Sequence, residues 1–228
     1  MNNLQGMLKD IEMEVRHTSN YIGKDALDVR VMAAMKQVPR DEFILCEFHF
    51  RAYDNSPVSI GLGQTISQPY IVALMSDLLN TKPTDSILEI GTGSGYQAAI
   101  LSQIVQQVYS IEIIEELAEK VLPRFKKLGY NNIKLRTGDG YFGWPEHAPF
   151  DGIIVTAAAP YIPQPLIEQL KTGARLVIPV GFPNNYQELM VIEKKAGGEI
   201  VTHSILGVSF VPLTGNREVK SAKKDLFN

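Results

Sequence analysis

The stretch SILEIGTGSGY, Ser86 to Tyr96, constrains this chain more than any other. Ser86 to Ile90 is a short apolar run with two isoleucines, the pattern of a strand buried on both faces of a parallel sheet. It runs straight into Gly91, Gly93 and Gly95 and then into helix-forming YQAAILSQIV. A glycine turn between a strand and a helix lets the backbone approach a ligand closely, and it presents the N–H groups of a helix N-terminus. A nucleotide-like cofactor is the first expectation.

The spacing narrows the choice of cofactor. A dinucleotide fingerprint, GxGxxG, needs glycine at position 96, where this chain has Tyr96. The pattern is GxGxG, preceded by the acid Glu89. A second strand, QVYSIE, ends in Glu112, 21 residues after Gly91, the distance at which an acid can accept hydrogen bonds from ribose hydroxyls. A third strand, IKLRT, leads to Gly138, Asp139 and Gly140, and an acid there suits an exocyclic adenine amine. Two strand-end acids beside GxGxG, without a Walker lysine, favour S-adenosylmethionine over NAD or ATP. An NAD-type Rossmann domain with an irregular loop is the alternative.

From Leu4 the apolar residues Leu4, Met7, Leu8, Ile11 and Val15 fall at helical spacing and predict an opening amphipathic helix. A second helix is expected from an N-cap at Asp25 to just before Pro39. In DEFILCEFHFRAY, short helical turns are expected, with Phe43, Phe48 and Phe50 as packing residues. Gly61 and Gly63 suggest a flexible entry to GQTISQP, after which a helix opens at Pro69. Ser67 has two readings: an N-cap contributing about 1 kcal/mol, or a hydroxyl that seats a carboxylate beside the helix N-terminus.

Further along, IIEELAEKVLPRFKKLG is a helix with acids first, bases last and Gly129 as its C-cap, while Pro123 kinks it or marks its exposed side. The helix after the glycine turn should run through Ile104. FDGIIVTAAA is a fourth buried strand whose alanines open room at its C-terminal end, where open α/β sheets bind ligands. RLVIPVG, QELMVIEKK and EIVTHSILGV follow as strands, the last pair joined at Gly197-Gly198. The expected fold is α/β, a doubly wound, seven-stranded, mostly parallel sheet with an N-terminal helical cap. Residues 1–82 would form the cap and substrate loop, 83–215 the cofactor-binding domain, and 216–228 a tail carrying Lys220, Lys223 and Lys224.

Composition removes several classes of function. A net charge of −3 offers no broad basic surface for nucleic acid. The single cysteine, Cys46, excludes an internal disulfide framework and fits a reducing compartment. MNNLQGMLKD lacks the basic and apolar regions of a secretory leader, and no apolar run approaches membrane-spanning length, so a cytosolic protein without membrane or nucleic acid partners is expected, with a monomer favoured over an oligomer whose state the sequence does not fix. The four scattered histidines form no metal-ligand pair, and no GxSxG elbow supports Ser67 as a hydrolase nucleophile.

Taken together, VPRDEFI at 38 to 44, GQTISQP, LEIGTGSGY, GDG at 138 to 140, FDGIIVTAAAP at 150 to 160, RLVIPVG and FVPL at 210 to 213 resemble the protein-L-isoaspartate (D-aspartate) O-methyltransferases. These enzymes begin repair of isomerised aspartyl and asparaginyl sites. GQTISQP carries the specificity of the resemblance, because GTGSG is shared with many methyltransferases acting on other carboxylates or small molecules. The resemblance implies that Gly91, Thr92, Gly93 and Gly95 hold the methionine part of S-adenosylmethionine, with Glu89 near its amino group. It further implies that Glu112 binds the ribose, Ile113 lies against the adenine, and Asp139 beside Gly138 contacts the adenine amine. Ser67 corresponds to the family's active-site serine, Thr65 and Ile66 to its substrate channel, and Val211 and Thr214 to the opposite wall, with Ala158 and Ala159 leaving space for the peptide. The products would be S-adenosylhomocysteine and a methyl ester that reverts through a succinimide.

Overall fold

The computed structural model describes residues 3–183 and 185–215. The expected tail lysines Lys220, Lys223 and Lys224 lie outside the described residues. Helix α1, Leu4–His17, starts where the Asn3 side chain accepts the Gly6 N–H, and it buries Met7, Ile11 and Val15 on one face. A one-turn helix α2, Ser19–Ile22, ends at Gly23 in the left-handed conformation.

The next helix, α3, is Val29–Gln37, and its N-cap is Asp28 instead of the expected Asp25. The cause is tertiary. Asp77 binds Lys24 and accepts the Asp28 N–H at 2.6 Å, which holds the chain out of helix until Asp28 itself can cap Arg30. Two short 3-10 turns, Arg40–Phe43 and Cys46–Arg51, follow as expected. Phe43 is buried, but Phe50 is 58% exposed and is not the packing residue its pattern suggested.

Strands β1, Val58–Gly61, and β2, Gln64–Ile66, make a small antiparallel hairpin where a flexible entry was expected. Helix α4 then spans Pro69–Leu78. The main sheet comprises β3 (Ser86–Ile90), β4 (Gln107–Glu112), β5 (Ile133–Thr137), β6 (Phe150–Val155), β7 (Leu170–Gly181), β8 (Gln187–Lys194) and β9 (Ile200–Val208). Their order is β5-β4-β3-β6-β7-β8-β9, with β8 antiparallel to both its neighbours, β7 and β9, and the other pairings parallel. Helices α5 (Tyr96–Ser102), α6 (Glu115–Leu128) and α7 (Gln164–Glu168) make the crossovers. Helix α5 stops at Ser102, short of Ile104, where the Asn132 side chain takes the carbonyls of Ser102 and Val105. Pro123 sits on the exposed side of α6, and Gly129 caps that helix with φ 80°.

Packing divides about the sheet. On one face Met7, Ile11, Val31 and Met35 share a core with α4, α5 and α6, so the N-terminal helices are part of the main hydrophobic core. The other face packs Leu88, Ile90, Ile111 and Phe150 against α7 and the strands beyond it. Strand β3 has its successor β4 on one side and β6 on the other, which makes its C-terminal end the switch point where such sheets open a crevice. Gly95 closes the turn above it: a β-carbon there would lie 2.8 Å from the Phe125 ring. No helix among the described residues is long and apolar enough to cross a membrane.

Candidate active site

At the C-terminal ends of β3, β4 and β6 a pocket opens, in the place where open α/β sheets bind small molecules. Its walls come from Gly91 to Ser94, Ile111 to Ile114, Gly140, Thr156, Ala157 and the crossing segment Val211 to Thr214. The hairpin side contributes Gln64, Thr65, Ile66 and Ser67.

The glycine turn does not offer the open N–H groups that its sequence suggested. Gly91 and Thr92 donate to the Ile111 carbonyl at 2.9 and 3.3 Å, and Gly95 donates to Thr92 at 2.8 Å. Gly93 donates to Glu112 Oε2 at 2.7 Å, while Glu112 Oε1 accepts the Ile114 N–H at 2.9 Å. A carboxylate therefore stands where a phosphate-binding loop would present bare amides. Each of its oxygens keeps a second lone pair for a hydroxyl donor, so the wall suits a cationic ligand bearing a ribose and repels a pyrophosphate. That chemistry matches S-adenosylmethionine and counts against the NAD alternative.

Glu89 lies one layer deeper. Alternation along β3 puts it on the face of Ile87, beneath the start of α5, where it is fully buried. Ser110, its register partner on β4, donates to Glu89 Oε2 and shares a 2.6 Å bond with Thr92 Oγ1. Among the described residues Glu89 Oε1 has no hydrogen-bond partner, an orphaned acceptor under the turn. Burial pushes this carboxyl up to about 8, against the pull of the Ser110 hydroxyl and with help from the Glu112 charge. Between the ordinary carboxylate range and pH 8 the folded chain thus holds a proton that the unfolded chain has lost. This contribution to stability is complete at low pH and disappears as pH rises towards about 8. Glu89→Gln copies the neutral acid, so its urea midpoint is expected to fall less between pH 5 and pH 8 than that of the unaltered protein.

A second, open cavity continues from the first. It is lined by Pro57, Gln68, Ile71, Tyr186 and residues 207–211, and it shares Thr65, Ser67, Thr156 and Val211 with the donor pocket. Ser67 sits at this junction. It is not the N-cap of α4: that position is Gln68, which makes no side-chain cap, and the Tyr70 N–H goes to Asn55 Oδ1 at 3.1 Å. The Ser67 hydroxyl has no hydrogen-bond partner among the described residues, whereas its carbonyl accepts from Arg40 Nη2 at 2.8 Å.

Thr65, Ile66, Ser67, Gly91, Thr92, Gly93, Glu112, Ile113, Val211 and Thr214 are thus brought together on the pocket walls. Glu89, Gly95, Gly138, Asp139 and Ala158 line neither cavity. Glu89 and Gly95 face inward, under α5 and against Phe125 respectively. Gly138 continues the strand pairing by donating to the Glu112 carbonyl at 2.9 Å. Asp139 accepts the Tyr141 N–H at 2.9 Å, and the Gly215 backbone passes against its carboxylate. Ala158 is buried and works through its backbone, exchanging 2.8 Å bonds with Val211 and Leu213. Thr156 was missed: its hydroxyl donates to the Gly91 carbonyl at 2.5 Å and it faces both cavities. A polar residue closing the apolar run FDGIIV was the available signal. Gly140 was also missed as a wall residue, although a β-carbon there would fall 2.2 Å from Ile90 Cγ2.

Residues 18–218 match the family described as Protein-L-isoaspartate(D-aspartate) O-methyltransferase. The chain belongs to this family. A protein-L-isoaspartate O-methyltransferase 2 of Nitrosococcus oceani is 62% identical over 213 residues, covering 93% of this chain and 97% of the relative. One from Polaromonas is 56% identical over 211 residues, covering 92% of this chain and all of the relative. Among solved structures, a protein-L-isoaspartate O-methyltransferase superposes with a TM-score of 0.81 at 25% identity, over 97% of this chain and 70% of the other. A Plasmodium falciparum protein assigned to the protein-L-isoaspartate O-methyltransferases, solved with S-adenosyl-L-homocysteine, gives 0.77 at 27% identity, over 95% of this chain and all of the other. The seven-stranded sheet is therefore the methyltransferase sheet of the family.

Proposed function

We propose that this chain transfers the sulfonium methyl of S-adenosylmethionine to the free α-carboxylate of L-isoaspartyl residues in proteins and peptides, releasing S-adenosylhomocysteine and the methyl ester. The observation that carries this reading is the Ser67 hydroxyl, idle in the fold and placed where the two cavities meet. When bound, S-adenosylmethionine supplies an electrophilic methyl group. An isoaspartyl α-carboxylate has a pKa of about 3.5, so it reaches the site ionised and no general base is required of the protein.

The residues at the junction have to orient and dehydrate that carboxylate. Ser67 donates to one of its oxygens, and the Ile71 face of α4 lines the cleft in which the peptide lies. Glu112 receives the hydroxyls of the donor's ribose, while the Glu89–Ser110–Thr92 chain supports the turn from beneath. Alignment of this kind supplies at most about 7–11 kcal/mol of a barrier. The net charge of −3 and single cysteine fit a cytosolic monomer acting on proteins, with neither nucleic acid nor membrane as partner.

The test is tritiated methyl transfer to an isoaspartyl peptide beside its aspartyl twin of the same sequence. Base-labile label confined to the isoaspartyl peptide is expected. Equal labelling of both peptides, or of neither, would overturn the assignment.

A further inference from the structure

Arg40, in the VPRDEFI stretch, lies outside the site yet is fully buried. Nε donates to the Ala52 carbonyl at 2.9 Å and Nη2 to the Ser67 carbonyl at 2.8 Å. Among the described residues Nη1 has no hydrogen-bond partner and no ion pair includes Arg40. The guanidinium carbon stands 4.9 Å from the centre of the Tyr96 ring, which Phe43 meets edge-on from 5.5 Å. Burial draws Arg40 down to about 10, so it remains a cation at neutral pH. A buried charge without a counter-ion is costly to keep, and an apolar side chain of similar shape would avoid that cost. Stability alone does not account for an arginine here.

The partners it has chosen supply an account. Ala52 and Ser67 are the two ends of the segment that contains the β1–β2 hairpin and presents Thr65, Ile66 and Ser67 to the cavities. Tyr96 is the first residue of α5, immediately after the glycine turn. One planar fork therefore closes the base of the acceptor loop and rests on the element that carries the donor turn. We propose that Arg40 is a positioning residue that fixes Ser67 relative to the glycine turn, setting the separation across which the methyl group must pass. This rests on the function assigned above. It also stands on its own as a statement about the rigidity of residues 52–67.

Lysine keeps the charge but cannot span both carbonyls, so Arg40→Lys isolates the fork. Its turnover number on an isoaspartyl peptide is expected to fall about 100-fold, the size of loss that a misplacement near 1 Å produces. Its dissociation constant for S-adenosylhomocysteine should stay within about twofold, because Arg40 itself lines neither cavity and lysine keeps a cation near Tyr96. Amide exchange across Val58–Ile66, followed by mass spectrometry, should accelerate about tenfold, with α5 and α6 unchanged. In Arg40→Ala, added guanidinium ion at millimolar concentration should restore part of the turnover. Normal turnover in folded Arg40→Lys, unchanged exchange in the hairpin, or parallel loss of donor binding and turnover would each overturn the proposal. If the unaltered protein methylates no isoaspartyl peptide, the assigned function fails, and the exchange measurement still decides whether Arg40 clamps the loop. If Arg40→Ala does not fold, Arg40→Lys carries the decision by itself.

Discussion

Ser67→Ala is expected to lower the turnover number on an isoaspartyl peptide by about 10²-fold, near the lower end of what removing one oriented hydrogen-bond donor costs a reaction. The dissociation constant for S-adenosylmethionine should change less than about twofold, since Ser67 stands at the junction with the second cavity and lies outside the glycine turn and Glu112. Stability should stay within about 0.5 kcal/mol, because the hydroxyl bonds nothing among the described residues. Those two readouts separate the present account from the capping one. An N-cap serine would lose about 1 kcal/mol of stability on the same substitution and leave turnover untouched. Steady-state kinetics with calorimetric donor binding and a thermal melt decide between them. A covalent adduct on Ser67, detected by mass spectrometry during turnover, would sink the proposal that the hydroxyl acts only as a donor.

The second large effect is expected at Glu112. Its two oxygens accept the Gly93 and Ile114 N–H groups at 2.7 and 2.9 Å, so the carboxylate holds the turn in shape and faces the pocket at once. Glutamine preserves the outline but brings its own N–H₂ against one of those donors, and the charge that attracts a sulfonium is gone. Hydrogen bonds to a charged group are worth about 1.5–3 kcal/mol each, so Glu112→Gln should weaken S-adenosylmethionine binding by about 100-fold. The turnover number at saturating donor should fall by far less, in contrast with Ser67→Ala, because the acceptor seat is intact. Calorimetry on the donor and on S-adenosylhomocysteine would check this, and a donor affinity unchanged in Glu112→Gln would remove Glu112 from the binding site.

What the sequence made legible was the repetitive part of the molecule. Strands β4 and β5 fall on the residues expected, because a buried parallel strand declares itself as an apolar run between breakers. The β1–β2 hairpin escaped notice for a physical reason. Its strands are four and three residues long, and the turn places Leu62 at φ 54°, where turn chemistry usually selects glycine or asparagine. Helix α3 began late because Asp77, far away in the chain, restrains Asp28.

The site divides in the same way. Glu112 and Ser67 were visible as an acid and a hydroxyl at element ends, where ligands gather. Arg40, Asn55 and Thr156 were not, since their partners lie 27, 15 and 65 residues away, and no local pattern encodes such pairings. The free amides expected at the glycine turn were a local inference that a neighbouring strand overrode: β4 brought both an acceptor carbonyl and Glu112 to meet them.

The crossing segment opposite Ser67 has a mechanical consequence for a catalyst that must admit whole polypeptides. Gln187 grips both the N–H and the carbonyl of Phe210, at 2.6 and 3.1 Å, and Ala158 brackets Val211 and Leu213, so that side of the trench is stitched to β6 and β8. The facing side is a pair of short strands, too small to stand alone, which draws its support from Val58, Ile60 and Ile66 buried in the main core and from Arg40 at its base. Both walls of the trench are therefore braced by the fold before a polypeptide enters between them.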